Sequence, residues 1–103
     1  MNKYRLNHYD LKPVDIDGIK YFGETQTAQM LWLKPSTAHN SMSVLYRAEL
    51  LSYLQHGRRK LIPADQVETL IRRLEDRLKT SSAMDLARAS RLNGIIVVNL
   101  LTG

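Results

Sequence analysis

The sequence predicts an α+β fold: a helix-turn-helix core, preceded by an N-terminal β-hairpin and followed by a C-terminal helix plus a terminal strand. Three observations carry this expectation. Asp17-Gly18, a dipeptide that favours tight hairpin turns, is flanked by short alternating runs, Val14 to Ile16 and Ile19 to Phe22. Ala28, Leu31 and Trp32 recur at the i, i+3, i+4 spacing of one buried helical face, and Lys34-Pro35 then interrupts before a second helical stretch. Between Asp65 and Lys79, Val67, Leu70, Ile71 and Leu74 line one side of a longer amphipathic helix.

In chain order, Tyr4 to Leu11 alternate loosely and could form an edge strand beside the hairpin around Asp17-Gly18. This arm is expected to cover one side of the core. Thr25 can cap the first helix, where Trp32, the only tryptophan, is expected to pack against the second helix. Ser36 or Thr37 can cap that second helix. Its first turns would expose Ser36, Thr37, His39, Asn40 and Ser41 while burying Ala38, Met42 and Leu45.

Gly57-Arg58-Arg59-Lys60 then sets three consecutive cations after a glycine, followed by a buried pair, Leu61-Ile62. Pro63 to Asp65 opens the amphipathic helix. Its polar face carries Glu68, Arg72, Glu75, Asp76 and Arg77, a mixed-sign surface suited to solvent or a protein. Thr80-Ser81-Ser82 breaks it and can cap a helix from Ala83 to Leu92, closed by Asn93-Gly94. The β-branched run from Ile95 to Leu101 is expected to be a buried strand, pairing with the N-terminal segment or with a second copy.

The order of these pieces resembles the excisionase and MerR-like winged-helix family of small DNA-binding domains. The residues that carry the resemblance are Tyr21, Thr25, Ala28, Leu31, Ser36, Thr37, Gly57, Arg58, Arg59, Ile62, Pro63 and Leu70, across about half the chain. The length fits a single domain over residues 1–103, with a β arm at 1–23, a helix-turn-helix core with a wing at 24–79, and the C-terminal helix and apolar strand at 80–103, a run beyond the family's usual end near the third helix. Double-stranded DNA is the implied partner, bound by a homodimer or a cooperative assembly. No cofactor, metal or small-molecule substrate is implied, and the chain is expected to be a non-enzymatic regulator or recombination factor of a phage or plasmid.

The second helix would enter the major groove with Thr37, His39 and Asn40 as base readers, since an Asn amide can bond adenine through two hydrogen bonds. Thr25, Gln26, Ser36, Ser41, Arg47, Arg58, Arg59 and Lys60 complete the expected DNA surface. For His39 the plain alternative is a solvated side chain, and for the cations a solvated loop. One departure from the family pattern leaves a second architecture open. Residues 43–56 contain no helix breaker, so the second helix could run on to Gly57 in a mainly α fold.

Composition sets the outer bounds. Lysine and arginine number 15 against 10 acidic residues, a net charge of +5, which favours a polyanionic partner. There are no cysteines and therefore no disulfides or thiolate metal sites, as expected of a cytoplasmic chain. The N-terminal residues lack the apolar core of a signal peptide, and no apolar run approaches the roughly 20 residues that span a bilayer. His8, His39 and His56 are far apart, and no nucleotide-binding or hydrolase motif is present. The competing class is a small non-catalytic inhibitor or adaptor that binds an acidic protein partner.

Overall fold

The computed structural model describes residues 12–103, so the expected edge strand at Tyr4 to Leu11 lies outside the described residues. The fold is α+β: the described residues form a four-stranded antiparallel sheet in the order β1-β2-β4-β3 and five α-helices. β1 (Val14–Ile16) and β2 (Ile19–Gly23) form the first hairpin, in which Asp17 and Gly18 take φ of 52° and 81°. The Gly18 amide donates to the Asp15 carboxylate at 3.0 Å, closing the turn. β3 (Leu54–His56) and β4 (Arg59–Pro63) form the second hairpin, and β2 pairs with β4 to join the two.

The two halves of the sheet are spaced 40 residues apart along the chain. β1 and β3 begin at 14 and 54, β2 and β4 at 19 and 59, and the helices that follow at 24 and 64. Phe22 pairs with Ile62, its own counterpart under that offset, while Tyr21 pairs with Pro63 and Gly23 with Leu61. The sheet therefore has an approximate two-fold axis through the Phe22–Ile62 pair.

α1 (Glu24–Met30) follows β2 with Gly23, not Thr25, at its N-cap. The Gly23 amide donates to Gln26 Oε1 at 2.9 Å, and Thr27 Oγ1 donates to the Gly23 carbonyl at 2.9 Å. A 3-10 turn at Pro35–Thr37 leads into α2 (Ala38–Arg47), which buries Met42 and Leu45 as expected. The long second helix does not form. α2 stops at Arg47 because Glu49 enters the left-handed region at φ 60°, where the Leu50 amide bonds the Leu45 carbonyl and the Glu49 amide bonds that of Tyr46. A glycine-free helix stop of this kind gives no signal in residues 44–56, so the chain turns into β3 without an evident breaker.

α3 (Ala64–Leu78) buries Val67, Leu70, Ile71, Leu74 and Leu78. Glu75, assigned to the polar face by helical spacing, is buried with them. α4 (Met84–Arg88) is shorter than the expected helix and ends with Ser90 at φ 54°. Beyond it the expectation of a strand fails: residues Gly94–Thr102 form α5. Asn93 is the N-cap, its side chain accepting from the Ile96 amide at 2.9 Å, so Asn93-Gly94 starts a helix instead of ending one. Gly94, Val97 and Leu101 face inward at helical spacing. Packing of that face on α2 and α3 overrides the strand preference of the β-branched run.

Trp32 is fully buried within one core cluster that takes in β2, β4 and all five helices. The loop between α4 and α5 is bonded to the turn between α1 and α2. The Leu92 amide donates to the Trp32 carbonyl at 3.0 Å, and the Lys34 amide donates to the Leu92 carbonyl at 2.8 Å. Among the described residues no helix is long and apolar enough to cross a membrane.

Candidate functional site

The candidate site grows out of α2. With Met42 and Leu45 committed to the core, the helical period leaves Ser36, His39, Asn40 and Arg47 exposed along one ridge. Ser41 does not belong to that ridge. It is 3% exposed, and its Oγ accepts from the Gly94 amide at 3.0 Å, so it fastens α5 to α2 and is not available to a ligand. Helical spacing alone put Ser41 near the exposed edge because nothing in the local sequence showed that α5 packs there.

On one side of the ridge lies a cleft of about 390 Å³ lined by Gly23, Glu24, Thr25, Gln26, His39, Arg58, Arg59 and Lys60. The start of α1, the first turn of α2 and the tip of the second hairpin thus meet in one concave surface. The hairpin does the gathering: because β4 pairs with β2, whose last residue opens α1, Arg59 is brought beside Gly23. Gly57 allows the tight turn with φ 63°, and Gln55 Nε2 donates to the carbonyls of Gly57 and Arg59, at 3.0 and 3.2 Å. Arg58 and Arg59 are exposed at this tip.

Lys60 behaves differently. Its ammonium stands 4.9 Å from the centre of the Tyr53 ring and 5.7 Å from that of Tyr46, two rings 4.7 Å apart. A cation held over aromatic faces is partly withdrawn from other anions. Glu24 is the one carboxylate among the described residues of the cleft lining. It accepts from the Tyr46 hydroxyl at 2.7 Å, and His39 Nδ1 lies 3.4 Å from its other oxygen. Burial, reinforced by the hydrogen bond and the charge of Glu24, holds the Tyr46 hydroxyl well above the ordinary tyrosine range, so it stays a donor. Glu24 therefore braces α1 against α2 from inside the basic cleft.

On the other side of the ridge, Thr37 and Asn40 line a second cleft of about 310 Å³ against the start of α5. Arg47 is exposed in the last turn of α2 and lines neither cleft, and Ser36 is exposed in the preceding turn. Sequence reasoning missed Glu24, Tyr46 and Tyr53. The available signal was the seven-residue spacing of His39 and Tyr46, which sets both on one side of α2. Among the described residues no group of three or more His, Asp or Glu is arranged to hold a metal ion. A scan against protein-family models and searches of curated proteins and solved structures find no match to this chain.

Proposed function

We propose that this chain is a sequence-specific DNA-binding protein of winged helix-turn-helix type, an excisionase-like recombination factor or a transcriptional regulator of a mobile element. The observation that carries the reading is the cleft in which the exposed first turn of α2 meets Arg58 and Arg59 at the hairpin tip. In this reading α2 enters the major groove and the β3–β4 hairpin is the wing. His39, Asn40 and Thr37 meet base edges, and Asn40 is the residue fitted to adenine. Arg58 and Arg59 neutralise phosphates, with Thr25, Gln26, Ser36 and Arg47 as further polar contacts. Lys60, engaged with two rings, orients the wing more than it binds DNA. A module of this size gains affinity by occupying paired half-sites as two copies.

The test is a fluorescence-anisotropy titration of mixed-sequence duplex DNA across a salt series, comparing the native chain with Arg58→Ala/Arg59→Ala. Each phosphate contact contributes about 0.9 to the slope of log affinity against log salt, so the double variant should lose about 1.8. On a selected target, Asn40→Ala should cost about 1–3 kcal/mol while leaving that slope unchanged, as expected for a base contact. No binding by the native chain at low salt rejects the reading and turns attention to an acidic protein partner.

A further inference from the structure

The first cleft accounts for cations on one side of α2 only. A helix lying in the major groove has a sugar-phosphate backbone on both sides, which raises the question of what the opposite edge presents. That edge is built from two segments distant in sequence. The parallel bridge between Leu33 and Leu92 draws the α4–α5 loop against the α1–α2 turn. Consequently Lys34 and Arg91, the residues next to the bridged pair, line one cleft together with Thr37 and Asn40.

Both cations are exposed, and neither forms an ion pair among the described residues. Among the described residues no carboxylate lines this cleft, in contrast to the first, where Glu24 offsets part of the positive charge. At the start of α5 the Gly94 and Ile96 amides are already bonded, to Ser41 and Asn93. The charged side chains of this edge are Lys34 and Arg91.

We infer that Lys34 and Arg91 form a second phosphate-binding edge, so that duplex DNA is held from both sides of α2, by Arg58 and Arg59 on one strand and by Lys34 and Arg91 on the other. This rests on the DNA-binding reading above. It gives the C-terminal segment a part in binding, through a loop whose position depends on the bridge and on the packing of α5. Asn40 gains a neighbourhood as well: it stands on the ridge between the arginine tip and this edge, where a base contact would be fixed in register from both sides.

The experiment extends the salt series with two more proteins. Lys34→Gln/Arg91→Gln removes the proposed edge without touching the backbone groups of the bridge, and Arg72→Gln/Arg73→Gln removes the same charge from exposed positions on α3. The expected result is a slope smaller by about 1.8 for the edge variant, each single substitution giving about half, with the α3 variant close to native. If the edge variant binds like the α3 variant while Arg58→Ala/Arg59→Ala is weakened, the inference is overturned and the DNA-binding reading stands. If the native chain does not bind, both fall together. The charge-preserving pair Lys34→Arg/Arg91→Lys separates charge from packing: native-like binding supports a charge contact, and loss of binding equal to that of the Gln pair overturns it.

Discussion

Glu49 occupies a position that suits glycine. Its φ of 60° lies in the left-handed region, where a side chain is penalised by about 1–2 kcal/mol, and its side chain is exposed. Glu49→Gly should therefore stabilise the protein by about 1 kcal/mol and raise its melting temperature by roughly 4–8 °C; an unchanged or lower melting temperature would contradict the geometry. Trp32 and Ser90 end α1 and α4 in the same conformation, at 59° and 54°. Trp32 cannot be exchanged in this way because its ring fills the core. Residue-level reading of the sequence succeeded where the cause was local, as at Asp17-Gly18, and for the exposed cations at Arg58 and Arg59. It failed at Ser41, Glu24 and Tyr46, whose roles are set by partners 53, 15 and 22 residues away. It placed the start of α2, whose N-cap is Thr37, but failed to mark its C-terminal end, since a left-handed glutamate has no signature in composition.

At the scale of elements, the least legible was α5. Its β-branched run has a strand's composition, and only the inward spacing of Gly94, Val97 and Leu101 betrays the helix. Gly94 illustrates how packing outweighs propensity. Alanine is favoured over glycine within a helix by about 1 kcal/mol. Yet a Cβ at residue 94 would lie 2.6 Å from the Ser41 carbonyl oxygen and 2.9 Å from Val44 Cβ, contacts that force α5 away from α2. Overpacking of this kind costs about 1–3 kcal/mol. Gly94→Ala should thus destabilise, with a lower denaturation midpoint at an unchanged denaturant slope. A variant more stable than native would mean that α5 sits on α2 more loosely than the geometry requires. The two hairpins were more legible, the first by its turn dipeptide and the second by the glycine that precedes its cations. The 40-residue offset that relates them escaped notice because Lys20 and Lys60, and Gln26 and Gln66, are the few identities that survive it.

Over the whole molecule, that offset divides the labour. Two similar hairpin-and-helix units pair through β2 and β4, one followed by the exposed ridge of α2 and the other carrying the cationic tip, while α5 closes the core beneath them. Val97 and Leu101 are buried outright, and Ile96, Val98 and Leu100 are partly buried against the same core. At about 1.5–3 kcal/mol for each fully buried aliphatic side chain, the first two alone account for about 3–6 kcal/mol, a large share of the roughly 5–15 kcal/mol that holds a domain together. A chain ending at Asn93 should therefore lose its cooperative thermal transition. Trp32 supplies the readout: it is fully buried, and its carbonyl is bonded to Leu92 next to the point where α5 begins. Loss of α5 should shift its emission to the red and open apolar surface to a hydrophobic dye. A shortened chain that melts cooperatively near the native temperature, with Trp32 emission unmoved, would show that α5 adds little to the core and would leave the position of Arg91 without its structural cause.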